Sequence, residues 1–208
     1  MAYTKTLVAR LACGHLGDRD IGDIDDQYDQ DAVALKLRYE HARDVIYTAT
    51  DWKWARRSAE LQRLPSTPAV RFQYAYALPP NFARIANVAK YSDMSGVLDD
   101  GDWTISEGQL WTDEEYVFVD YVAKDWSEAQ WPSYFVDAVA LKLAEVTCLK
   151  ITHDRGLKGQ LAKELQQQVL PLARSTDSLA QPAKRRLVRS PWQEARFGRS
   201  GFSNLRRP

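Results

Sequence analysis

A chain of 208 residues with 45% hydrophobic content has the size of one core domain plus an appendage. No run reaches the roughly 18–20 apolar residues a membrane helix needs, and no basic stretch followed by an apolar core opens the chain, so neither a membrane span nor a secretory signal is expected. The formal net charge of zero conceals a split: residues 182–208 hold eight bases against the single Glu194, a net +7, and residues 1–181 carry the opposite −7. An acidic body with a basic tail points to an acidic partner for the tail, whether nucleic acid, another protein or a neighbouring copy.

In chain order, Leu7, Val8, Leu11, Ala12 and Leu16 predict a short helix over Thr4–Leu16, with Gly17 as its stop. A carboxylate cluster follows: Asp18, Asp20, Asp23, Asp25, Asp26, Asp29 and Asp31. It fails the EF-hand pattern, because counting from Asp18 puts Asp23 where that loop needs glycine. It reads as a solvated loop whose last aspartates favour the start of the next helix.

That helix is predicted from about Asp31 to Leu61, on the four-residue repeat Val33, Leu37, His41 and Val45. Leu35, Ala42, Ile46 and Ala49 widen the stripe, which makes His41 a core histidine. Trp52 and Trp54, two apart, cannot share one helix face; one is expected in the core and the other under the sheet.

Pro65 and Pro68 lead into a sheet segment. Phe72, Tyr74, Tyr76 and Leu78 alternate with Gln73, Ala75 and Ala77 up to the stop at Pro79-Pro80. Phe82–Val88 reads as a short strand or a turn leading to one. Asp99-Asp100-Gly101-Asp102 marks a turn, and Glu107-Gly108 a second, with a hairpin between the flanking strands. Tyr116–Val122 closes the sheet.

The second helical half begins near Trp131-Pro132-Ser133. Phe135, Val136, Val139, Leu143, Val146 and Leu149 predict a buried helix ending before His153. Leu157, Leu161, Leu165, Val169 and Leu172 predict another, which Pro171 should bend or stop. Cys13, His15, Cys148 and His153 match no zinc-ligand spacing, and the two cysteines read as reduced, buried residues. No phosphate-cradling loop, nucleophile–histidine–acid trio or close pair of carboxylates stands out. No catalytic residue, metal or cofactor is expected.

The expected fold class is therefore α+β: an antiparallel helix bundle (1–69 and 126–181), one inserted small antiparallel sheet (70–125) and an extended basic arm (182–208). The arm has no apolar period, so it is not expected to fold alone. Its Trp192, Phe197 and Phe202 alternate with arginines, a combination that stacks on bases and neutralises phosphates or fills protein pockets.

The order of parts resembles a known family. Trp54-Ala55 precedes a Pro-bounded break and Tyr74-Ala75-Tyr76-Ala77-Leu78-Pro79-Pro80; Gly108-Gln109-Leu110-Trp111-Thr112 and Asp120-Tyr121-Val122 follow, then Trp131-Pro132-Ser133-Tyr134-Phe135 through Ala144. Over roughly residues 4–181 this is similar to the tail tubular protein A family, the head-to-tail adaptors of short-tailed phages. The family often carries an acidic residue soon after Leu-Pro, whereas Pro80-Asn81-Phe82 stands here. The resemblance implies a structural protein of the virion neck, assembled in the host cytoplasm as a twelve-fold ring. Such a ring joins the portal to nozzle or other tail proteins, and double-stranded DNA passes through it without sequence-specific binding. Lys184, Arg185, Arg186, Arg189, Trp192, Arg196, Phe197, Arg199 and Phe202 are then the expected portal-docking residues. Asp99, Asp100, Asp102, Trp103, Trp111 and Tyr116 are the expected tail-contact residues, since rings beyond what a small sheet can bury serve as interface anchors. The rival class is a nucleic-acid-binding protein that uses the Arg/aromatic tail.

Overall fold

The computed structural model describes residues 2–17, 20–65, 68 and 71–180. Its centre is α3 (Ser133–Ile151), apolar nearly all round, with Phe135, Val136, Ala138–Leu141, Leu143, Ala144, Cys148 and Ile151 buried. A helix without a polar face must be covered from several sides. Here α1 (Lys5–His15), α2 (Gln30–Ala49) and the run from α4 (Arg155–Glu164) through a π-turn (Leu165–Val169) into α5 (Leu170–Ala180) all pack on it.

Local chemistry sets most of these boundaries. Thr4 caps α1 by accepting from the Leu7 N–H, and Gly17 follows the helix with φ +99°. Asp29 caps α2 through the Asp31 N–H, as the aspartate run predicts. Asp154 caps α4, accepting from the N–H groups of Gly156 and Leu157. Pro171 neither stops nor ends its helix. It has no N–H to donate back to Gln167, and the π-turn just before it, closed by Leu170 N–H to Leu165 O, opens the ladder where that donor is missing.

The expectation of a bundle carrying one inserted sheet is overturned. The fold is a mixed α+β arrangement with two three-stranded antiparallel sheets. The first has the order β1 (Arg56–Glu60), β6 (Phe118–Ala123), β3 (Phe82–Ala89); the second has the order β2 (Tyr74–Ala77), β5 (Gln109–Thr112), β4 (Trp103–Ser106). The unforeseen strand is β1, which lies where the helical period was extended to Leu61. α2 ends instead at Ala49, because its last carbonyls are taken from outside the helix. Trp52 Nε1 donates to Ile46 O at 2.7 Å, Arg84 to Thr48 O at 3.4 Å and Arg174 to Ala49 O at 3.0 Å. A single 3-10 turn (Lys53–Ala55) then turns the chain into β1.

Alternation along β6 joins two cores. Val119, Tyr121 and Ala123 face a sheet core with Leu61, Tyr76, Val88, Leu98, Leu110 and Val117, while Val122 reaches the helical core. Residues 61–64 carry the hydrogen bonding from one sheet to the other: Leu61 N–H reaches Val117 O, Leu64 N–H reaches Ala75 O, and Ala77 N–H reaches Gln62 O. Where the sheets meet the helices, Phe135 is ringed by Tyr47, Trp52, Trp54 and Trp131 at centroid distances of 4.8, 5.3, 5.0 and 5.1 Å. Trp52 is in the core as expected of one member of the pair, and Trp54 packs beside it against Trp126.

The β4–β5 hairpin closes where Glu107-Gly108 predicts. Both turn residues have positive φ, +54° and +72°, between paired Ser106 and Gln109. That is the geometry of a two-residue type I′ turn, which favours Asn-Gly. Glu107→Asn is expected to stabilise the protein by about 0.5 kcal/mol, since asparagine tolerates the left-handed region better than glutamate. Chemical denaturation checks the gain; a loss of stability would contradict the turn assignment.

Candidate interaction surfaces

The expected tail-contact residues do not form one continuous patch. The 99–102 turn is exposed and tied down: Asp102 N–H donates to Asp99 O, Thr112 Oγ1 to Asp102 O at 2.7 Å, and Arg71 to Gly101 O at 3.2 Å. Trp103 leaves that turn and packs, half-buried, on the sheet core. Trp111 stands opposite Ala75 and Thr104, in the row next to Tyr76, Leu110 and Ile105, of which Tyr76 and Leu110 pack into the sheet core. Adjacent rows point to opposite faces, so its ring lies on the outer side. It is half-buried there, with its Nε1 donating to Gln109. Tyr116, 62% exposed, sits apart in the β5–β6 loop. Asp99–Asp102 with Trp103, the outer face with Trp111, and the loop with Tyr116 are thus three neighbouring features of one acidic lobe. Residues 91–120 hold nine carboxylates and no base.

Tyr116 borders a groove of about 660 Å³ lined by Glu60, Leu61, Gln62, Arg63, Tyr76 and Glu115. The Tyr76 hydroxyl fixes its wall by donating to the carbonyls of Glu114 and Glu115, at 2.6 and 2.7 Å. Arg63 lies over the Tyr74 ring at 4.0 Å. Sequence reasoning missed this groove, because it is made by residues 60–63 meeting the β5–β6 loop and neither stretch signals the other.

The stripe Val33, Leu37, His41 and Val45 does not face the core. Ala32, Leu35, Tyr39, Ala42, Ile46 and Tyr47 do, while Val33 and His41 are exposed and Leu37 is 78% exposed. The second apolar face left wet is on α5, where Leu172 is exposed and Leu179 is 82% exposed.

Asp177, on the same helix, was also missed. Only 3% exposed, it accepts from the Lys53 N–H at 2.7 Å, the Trp54 N–H at 3.3 Å and the Tyr134 hydroxyl at 2.9 Å. Burial first, and the bond to Asp177 second, push the Tyr134 phenol well above its usual range. Asp177 thereby ties the end of α5, and the root of the arm, to the junction between α2 and β1.

In the aspartate loop the carboxylates are used locally. Asp20 pairs with Arg10 at 2.8 Å and Asp25 with Lys36 at 2.8 Å. Asp23 accepts from the Asp25 N–H and from Thr6, which hold its carboxyl below the usual range. Asp18 and the arm residues Lys184, Arg185, Arg186, Arg189, Trp192, Arg196, Phe197, Arg199 and Phe202 lie outside the described residues. Among the described residues no helix is long and apolar enough to cross a membrane, and no group of three or more His, Cys, Asp or Glu is placed to hold a metal ion. Neither a scan of the chain against protein-family models nor a search of curated proteins finds a match.

Proposed function

We propose that this chain is a structural head-to-tail adaptor of a phage or phage-like particle, in which copies form a ring around the DNA channel. The ring joins the portal to nozzle or other tail proteins in the virion neck, and the chain is not an enzyme. The observation that carries this reading is the pair of wet apolar faces, Val33–Leu37 on α2 and Leu172–Leu179 on α5. A ring built head to tail needs two different patches on each subunit, and these two exposed apolar faces are the pair we assign to that role. The −7 charge of residues 1–181 suits a conduit wall that repels phosphates and lets DNA slide. The Asp18–Asp31 loop is a poor candidate for that wall, since Asp20 and Asp25 are already paired.

Leu37→Asp and Leu179→Asp each remove an exposed apolar group, so each should change folding stability by no more than about 0.5 kcal/mol. Each is expected to block incorporation into particles, measured by immunoblotting purified virions. Normal incorporation of both variants contradicts the two-patch ring.

At the other end, the acidic lobe is the tail-facing contact. Replacing Asp99, Asp100 and Asp102 with serine, together with Trp111→Ala and Tyr116→Ala, is expected to give particles that hold this chain and lack the next tail component. Particles with complete tails would remove the lobe from that role. The second reading, a nucleic-acid-binding protein, is favoured by the alternation of arginines with Trp192, Phe197 and Phe202. Tail-dependent DNA binding by the free protein, falling steeply with salt, would support it over the adaptor.

A further inference from the structure

We infer that the groove between residues 60–63 and the β5–β6 loop is a docking site for the chain's own basic arm, residues 182–208, in the free protein. Three observations meet there. The first is charge: the lobe that forms one wall belongs to residues 91–120, with nine carboxylates and no base, and the arm holds eight bases and one acid. Glu60 and Glu115 are both exposed at the groove, and among the described residues neither forms an ion pair, so their charges are open to an incoming arginine.

The second is shape. The exposed Tyr116 ring forms an apolar rim on a largely polar groove whose Leu61 and Tyr76 are buried beneath it, and about 660 Å³ has room for an aromatic side chain with its flanking backbone. Trp192 and Phe197, each beside an arginine or within a few residues of one, match a slot that offers a ring and two carboxylates. Arg63 keeps its charge over the Tyr74 ring, so Glu60, Glu115 and Arg63 leave the groove lining at a net −1, still complementary to the arm.

The third is reach. Asp177 pins the end of α5 to Lys53 and Trp54, and the next element after them is β1, whose last residue is Glu60 at the groove. The five residues of β1 span about 17 Å at roughly 3.3 Å per residue, and a dozen extended residues after Ala180 span about 40 Å. Trp192 is therefore within range of the groove on its own subunit. The docking does not rest on the adaptor reading.

Backbone amide NMR spectra of the full chain and of a chain ending at Ala180 test it, together with a full-length Glu60→Lys, Glu115→Lys variant. Both substitutions are of exposed side chains, and the spectrum itself reports whether the variant is folded. The expected result is a set of shift differences between the two wild-type chains at Glu60–Arg63 and at Glu115 and Tyr116, lost in the charge-reversed variant. Differences confined to the end of α5, differences at another surface, or groove differences that survive charge reversal would each overturn the inference. None of these outcomes bears on attachment to heads, so the docking and the adaptor role fail separately.

Discussion

A chain ending at Ala180 is expected to fold and to fail completely at joining packaged heads. Folding should survive because both cores are complete before the cut. The helical core ends with Leu170 and Ala173, and the polar tie at Asp177 is retained. Attachment should fail because the removed segment carries +7 and three large rings, the groups that give an arm its anchors and its register on a partner. Ordering such a segment costs about 1 kcal/mol or more per residue, so only a well-matched groove holds it, and the portal must offer a better one than the chain itself does. Trp192→Ala should weaken attachment more than Arg206→Ala, which sits near the free end. Cosedimentation of the truncated chain with heads is the measurement, and normal binding would contradict the arm's role.

The second large effect concerns Asp177. Asp177→Ala leaves the Lys53 and Trp54 N–H groups and the Tyr134 hydroxyl without their acceptor in a largely dry junction. At about 1–3 kcal/mol for each group left unsatisfied, with some recovery by water at the half-exposed positions, the total is about 3–5 kcal/mol. In a chain of this length that lowers the melting temperature on the order of 10 °C. Asp177→Asn keeps one acceptor oxygen and should recover part of the loss. A melting temperature unchanged in both variants would mean that the junction is held by the Phe135 aromatic cluster alone.

How much of this could be read in the sequence follows from how local each signal is. The Glu107-Gly108 hairpin and the helix start after Pro132 were legible because a turn and a first helical residue are set by one or two side chains. α3 was legible because a helix buried on nearly every side needs no correct choice of face. The α2 face was misread for a geometric reason. A strict four-residue repeat advances 40° more than one full turn at each step, so Val33, Leu37, His41 and Val45 wind around the helix. The buried face runs instead through Leu35, Tyr39, Ala42 and Ile46, with spacings of four, three and four. β1 was illegible because Arg-Arg-Ser-Ala-Glu has no strand signature; it becomes a strand by pairing with β6, its edge fixed by Ser58 Oγ to Asp120 at 2.5 Å. The end of α2 at Ala49 depends on Arg84 and Arg174, which the sequence places far away. Asp177 stands in an ordinary polar run, Arg174-Ser175-Thr176-Asp177-Ser178, and only the tertiary fold gives it three donors.

The adaptor role is tested most directly by a particle reconstruction in which this chain is located. The prediction is one closed ring between portal and tail proteins, with α2 of each subunit against α5 of its neighbour and the sheet lobe turned toward the tail. Particles that lack the chain, or that hold it anywhere other than a ring at the neck, would contradict the account.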